Sequence, residues 1–307
     1  MISMFKLFLG LAAALSITTI AHAQTADPNR LFADSRLVVR DRFSDEIVGK
    51  GPDLVFIPGL ASSRATWKAT AERLRGKHRL HLIQVAGFSG EPARANATGD
   101  VLIPTAEAID AYLVEQMLTP ATVVGHSLGG TTILYLAEKH PTHLKKLLIV
   151  DALPFYSVLM LGPSATVESI QPMAAKIRAS MLAASGPPDP QAIKAQMAMM
   201  ASSDTHRSTI ATWSLASERS VVARAMYEDM TLDLRPGVGA ITTPTTLLFP
   251  DYGATGRPVA ITEGLYRSAY AAAKAVKLVR VDKSVHFIML DQPQVFADAL
   301  DAFLANP

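Results

Sequence analysis

The chain contains no cysteine. That excludes disulfides, zinc–thiolate sites, iron–sulfur clusters and a cysteine nucleophile. A secreted protein of this length does without disulfides, because its core is large enough. Charge is scarce as well: charged residues make up 18%, against about 25% in an average globular protein. Neither sign dominates, with 29 Lys and Arg against 27 Asp and Glu and a formal net charge of +2. A nucleic-acid binder carries a clustered basic excess, so that class is set aside. Internal repeats and low-complexity linkers are missing. What is plentiful is apolar: 49% of residues are hydrophobic, which excludes disorder as the main state. A length of 307 residues suggests about two domains as a soft prior, although α/β folds beyond about 200 residues are common as one domain.

The first residues stand apart from the fold. Lys6 precedes an apolar stretch, Leu7 to Ile20, interrupted by Ser16, Thr18 and Thr19. Ala21-His22-Ala23 is a small-x-small pattern, followed by polar Gln24-Thr25-Ala26-Asp27-Pro28. Together these read as a secretory signal peptide over residues 1–23. The apolar stretch is shorter than the roughly 20 residues that span a bilayer. No cysteine follows, so lipoprotein attachment is excluded. The expectation is a periplasmic or secreted protein with no stable membrane span after cleavage.

Strand and helix patterns then alternate. Arg36–Arg42, Asp53–Ile57, Arg79–Val85, Thr122–Val124, Lys146–Val150, Thr245–Phe249 and Lys277–Val281 read as strands, with Asp45–Gly51 as a polar turn. Arg64–Arg75, Thr105–Leu118, Leu128–His140, Ile261–Lys274 and Pro293–Leu304 read as helices. Such alternation implies a doubly wound, mainly parallel sheet covered on both faces. Residues 152–239 break the rhythm and read as a helical cap inserted between two sheet strands. Residues 24–151 and 240–307 form the core. The cap segment holds Met160, Met173, Met181, Met197, Met199, Met200, Met226 and Met230, eight of the 12 methionines. Flexible methionines suit an acyl-binding wall and equally suit packing between helices.

Gly125-His126-Ser127-Leu128-Gly129 matches G-x-S-x-G. It follows a strand and opens a helix, the context that makes this motif a nucleophile elbow. A serine needs a base. Among eight histidines, His286 is the candidate, because it lies in a loop at the C-terminal end of the last strand, the edge where α/β sites gather. His126 adjoins the serine and reads as structural. His78/His81 and His140/His143 are read as lacking nearby carboxylates at ligand spacing, so no metal site is expected.

On the serine elbow, the His286-Phe287 pair followed by Leu290-Asp291-Gln292-Pro293, and the Pro58-Gly59 loop after Val55-Phe56-Ile57, the chain resembles the α/β-hydrolase superfamily, in its serine-nucleophile branch with a helical cap. The resemblance runs from about Leu37 to Leu304. It implies that the third-strand loop supplies an oxyanion-hole amide, here Leu60, beside the Leu128 amide. The family usually has His-Gly where this chain has Pro58-Gly59, a change that spares the amide donor. The family's acid usually follows strand seven. Here that loop reads Phe249-Pro250-Asp251-Tyr252-Gly253, and the usual position falls near Gly253. A minority branch carries the acid after strand six, where Asp151 lies 24 residues past Ser127. Either Asp151 or Asp251 can hold the His286 Nδ1 proton, with Asp151 preferred.

The resulting expectation is a serine hydrolase, a carboxylesterase acting on a small to medium ester through an acyl-enzyme, with no cofactor and no nucleic-acid partner. A C–C bond hydrolase or lactonase with the same triad is the alternative, and Arg178, Arg207 and Arg224 are its candidate substrate contacts. A non-catalytic ligand-binding protein is the remaining alternative, against which the intact Ser127 and His286 argue.

Overall fold

A computed structural model describes residues 30–186 and 189–305. The expected signal segment, 1–23, lies outside the described residues. Eight strands form one sheet: β1 (Arg36–Val39), β2 (Phe43–Gly49), β3 (Asp53–Ile57), β4 (Arg79–Val85), β5 (Ala121–His126), β6 (Leu144–Val150), β7 (Thr245–Pro250) and β8 (Val276–Val281). Their spatial order is β1-β2-β4-β3-β5-β6-β7-β8. The β1–β2 and β2–β4 pairs are antiparallel and the rest are parallel.

The central strands are apolar on both faces, as a sheet covered on both sides requires. Side chains alternate along each strand, and the core divides accordingly. Val55, Ile57, Val123, Leu147, Ile149 and Leu247 enter one apolar cluster. Their chain neighbours Leu54, Phe56, Val124, Leu148, Val150 and Leu248 enter the other. The first cluster is covered by α2 (Leu102–Glu115), α3 (Leu128–Lys139) and α9 (Val259–Ala269), the second by α1 (Lys68–Leu74) and α11 (Pro293–Ala305). Between β6 and β7 run α4 (Val158–Leu161), α5 (Val167–Ala183), α6 (Pro190–Gln196), α7 (Asp204–Leu215) and α8 (Arg219–Thr231). The helix α10 (Ile288–Asp291) precedes α11. Asp189 caps α6 by accepting from the Gln191 amide, with Pro190 in the first turn, because proline lacks the N–H that a helix start leaves unpaired. Among the described residues no helix is long and apolar enough to cross a membrane.

One expected element is corrected. Asp45–Gly51, expected as a polar turn, mostly belongs to the buried strand β2. Asp45 and Glu46 find partners inside the protein, which a reading of polarity alone cannot anticipate. Glu46 accepts from the Phe32 amide at 2.8 Å and the Ser35 hydroxyl at 2.6 Å, and it pairs with buried Arg64 at 3.6 Å. Asp45 accepts from Tyr112 at 2.8 Å and meets His81 Nδ1 at 2.7 Å. The methionines of the insertion divide: Met230 is buried in the first core cluster, whereas Met160, Met173 and Met199 are exposed.

Candidate active site

Strand β5 delivers Ser127 at the C-terminal edge of the sheet, and α3 leaves from it at once. Ser127 has φ 52° and ψ −121°, a left-handed backbone that L-residues adopt only under constraint. The elbow demands glycine around it. A methyl group on Gly125 would stand 2.4 Å from the Gly129 carbonyl oxygen, and one on Gly129 would stand 2.3 Å from the Ile57 carbonyl oxygen. The second contact shows how tightly the loop after β3 lies on the elbow. A methyl on Gly59 would meet the Ser127 Cβ at 3.0 Å, so the loop that carries Leu60 passes close to the serine. Leu128 is the first residue of α3, and the first amides of a helix have no intrahelical acceptor.

Register then sets Asp151 beside Ser127. His126 of β5 pairs with Val150 of β6, so Ser127 and Asp151 leave adjacent strands side by side. Asp151 is buried and also left-handed, with φ 50°. Its Oδ2 lies 2.6 Å from His286 Nδ1. Tyr252 donates to the same Oδ2 at 2.7 Å and lies 3.5 Å from His286 Nδ1. Tyr266 donates to Oδ1. Burial, with the Asp151 charge beside them, pushes both phenols well above their ordinary value, so they remain donors. Tyr270 donates to the Ala152 carbonyl at 2.9 Å. The carboxylate is thus held from three sides, with Nδ1 of His286 fixed against it. Among the described residues His286 Nε2 has no hydrogen-bond partner, Ser127 included; such contacts commonly tighten only when substrate binds.

Asp251 is not brought to His286. It accepts from the Gly253 amide at 3.0 Å and the Lys283 amide at 2.9 Å, and so ties the loop after β7 to the loop after β8. His126 is fully buried, and its Nε2 donates to the His286 carbonyl at 3.1 Å. Its ring lies 4.6 Å from the His286 ring and 4.4 Å from Phe287. Burial first, then the nearby His286, holds its pKa well below the ordinary histidine range. It is a neutral strut under the His286 loop. The three arginines considered as substrate contacts are engaged elsewhere. Arg178 stacks on Tyr227 at 3.9 Å, Arg207 donates to the Ala201 carbonyl at 2.8 Å, and Arg224 donates to the Ala97 carbonyl at 3.0 Å.

Tyr252, Tyr266 and Asp229 escaped the sequence reading. The clustering of Tyr252, Tyr266 and Tyr270 among only seven tyrosines was the available signal. Asp229 on α8 accepts from Thr131 of α3 at 2.9 Å. Burial pushes its carboxyl up to about 6, against the pull of the Thr131 hydroxyl and His286. A raised acid means that the folded state holds the proton more tightly than the unfolded chain. Its contribution to stability is therefore fully present below about pH 4 and lost as pH rises through about 6, a cost of about 3 kcal/mol. Asp229→Asn is expected to raise stability relative to the parent at pH 8 and not at pH 4. Paired denaturant titrations at the two pH values check this, and a pH-independent difference contradicts it.

The expectation of no carboxylate near His140/His143 is corrected: α2 supplies Glu107 and Asp110 to them. His81 likewise meets Asp45 and Asp53. Those carboxylates are distant in sequence and adjacent only in the fold.

A family model described as the alpha/beta hydrolase family matches residues 54–299. A pimeloyl-(acyl-carrier protein) methyl ester esterase of Aeromonas hydrophila is 33% identical over 114 residues, 37% of this chain and 42% of that protein. The match thus spans well under half of that curated relative. A hydrolase structure from Pseudomonas aeruginosa superposes with TM-score 0.70 at 18% identity, over 89% of this chain and 99% of that one. An enol-lactonase structure from Burkholderia xenovorans gives 0.67 at 16%, over 86% and 96%. At these identities the two structures speak for the fold.

Proposed function

The chain belongs to the alpha/beta hydrolase family, and from that premise we propose that it is a serine hydrolase, a carboxylesterase cleaving a small to medium ester through an acyl-enzyme. The observation that carries this reading is the His286–Asp151 couple, whose Asp151 leaves the strand next to the one that ends in the left-handed Ser127 elbow. The esterase name of the partial relative points the same way.

The chemistry follows from the geometry. Ser127 Oγ attacks the ester carbonyl carbon as His286 Nε2 takes its proton, and Asp151 stabilises the imidazolium that forms. The Leu60 and Leu128 amides receive the oxyanion, each donor worth about 2.7–4 kcal/mol in comparable sites. Collapse breaks the bond to the alcohol, which leaves with the proton from His286. Water then attacks the acyl-enzyme with His286 as base, releasing the acid and restoring Ser127. Cap arginines free to recognise a more polar substrate would favour the C–C hydrolase or lactonase alternative; all three candidates are held elsewhere, which supports the ester reading. A panel of p-nitrophenyl esters of increasing acyl length tests it. Saturable turnover of short and medium esters is expected, and a folded protein that hydrolyses none above the blank overturns the reading.

Tyr252 positions this machinery. Tyr252→Phe removes one donor from Asp151 and is expected to lower kcat about tenfold, about 1.4 kcal/mol, with KM unchanged. A variant whose melting temperature falls while kcat holds would assign Tyr252 a structural role only.

We also propose that the chain is exported and that its mature form begins at Gln24, on the Ala21-His22-Ala23 pattern. Mass spectrometry of the natively expressed protein tests this; an intact chain from Met1 in the soluble fraction refutes it.

A further inference from the structure

Ser127 stands at one edge of the sheet, and a second cluster of titratable side chains stands at the other. The helix α3 carries the chain away from the elbow over 12 residues, about 18 Å. It ends at His140, and the short 3-10 turn Pro141–His143 leads into β6. The helix α2 places Glu107 and Asp110 one turn apart, facing this corner. One ligand atom each from Asp110, His140 and His143 lies within 4.8 Å of the others. His143 Nδ1 lies 2.9 Å from Asp110 Oδ1. His140 Nδ1 lies 3.9 Å from Asp110 Oδ2, too long for a hydrogen bond. Donors bound to one tetrahedral ion at 2.0–2.1 Å are separated by about 3.3 Å, between these two values. The Asp110 carboxylate is buried, and the two rings are about one-third exposed.

A separate observation concerns the far side of His140. Its Nε2 meets Glu107 Oε2 at 3.0 Å, and Tyr135 donates to Glu107 Oε1 at 2.7 Å. A histidine that binds a metal almost always gives its other ring N–H to an oriented carboxylate, which fixes the tautomer and raises the basicity of the ligating nitrogen. Glu107, itself held by Tyr135, does this for His140 and leaves the Nδ1 lone pair toward Asp110 and His143.

We propose that Asp110, His140 and His143 form a binding site for a divalent cation of the zinc class. Two imidazoles and one carboxylate match zinc and its borderline neighbours better than the oxygen-preferring magnesium or calcium. Water completes the coordination from the exposed side. Binding releases to solvent the proton shared between His143 Nδ1 and Asp110. The ion would cross-link α2 to the turn between α3 and β6, remote from Ser127, so it stabilises the fold without entering ester chemistry.

The test uses the full chain, freed of metal with a chelator. Zinc chloride is titrated calorimetrically, and cobalt chloride is followed by visible absorption. One zinc per chain, cobalt bands of a tetrahedral site and a zinc-dependent rise in melting temperature are expected. The His140→Gln/His143→Gln double variant is expected to lose all three while keeping its circular dichroism and ester turnover. Glu107→Gln is expected to retain the stoichiometry with affinity about 10- to 100-fold weaker. Absence of stoichiometric zinc binding by the parent protein overturns the proposal, as does unchanged binding in the double variant.

Discussion

Ser127→Ala is expected to reduce ester turnover by about 10³-fold or more and to leave the folded structure in place. The expectation rests on how little else the hydroxyl touches. Ser127 sits at the surface end of β5, and its backbone is fixed by the Ser127 amide donating to Val150 at 2.9 Å and the Thr131 amide donating to its carbonyl at 2.9 Å. Both bonds survive in alanine. The left-handed φ of 52° is no worse for alanine than for serine by any large margin, because both carry a Cβ. The loss therefore falls on the covalent step alone, and substrate still reaches the site. Purified, folded Ser127→Ala with more than about a tenth of parental kcat would remove the serine from the nucleophile's role.

Asp151→Asn is the second large effect, and its contrast with Asp251→Asn gives it force. In other triads, losing the carboxylate beside the histidine costs up to about 10⁴-fold in kcat, because the wrong imidazole tautomer is then favoured. Here Asp151 meets His286 Nδ1 at 2.6 Å and accepts from Tyr252 and Tyr266. Asparagine tolerates the left-handed backbone at this position, so the backbone need not move. Its amide, however, opposes groups that all donate, and a stability loss of about 1–3 kcal/mol is expected alongside the kinetic one. Asp251→Asn weakens the tie between the loops after β7 and β8 and should leave kcat near the parent's. The two variants are compared by steady-state kinetics and thermal unfolding. If folded Asp151→Asn keeps near-parental kcat while Asp251→Asn is crippled, the assignment of the acid is reversed.

Local patterns were legible in the sequence, and tertiary convergence was not. The elbow announces itself because its constraint is local: the glycines at 125 and 129 answer contacts within a few residues and to the next strand. The position of His286 in the loop after the last strand was legible too. The choice between Asp151 and Asp251 depends on which strand lies beside β5, and the sequence does not print strand order. The β5–β6 register decides where Asp151 goes. Strand β2 was misread because Ser44, Asp45 and Glu46 look solvated and are buried. Their partners, Phe32, Arg64, His81 and Tyr112, come from four other segments. The same blindness hid the carboxylates at His140 and His143, since Glu107 and Asp110 lie more than thirty residues upstream. Tyr252 and Tyr266 reach Asp151 from across 101 and 115 residues, and no spacing rule links them.

Ester hydrolysis by the proposed route requires Ser127 to be an activated nucleophile. A fluorophosphonate probe reacts with such a serine by forming an Oγ–phosphorus bond and expelling fluoride. The direct measurement is labelling of the purified chain followed by peptide mass spectrometry. A single adduct on the peptide containing Ser127, none in Ser127→Ala and slowed labelling in Asp151→Asn are expected. An unlabelled Ser127 in folded parent protein, or equal labelling of Ser127→Ala, would contradict it.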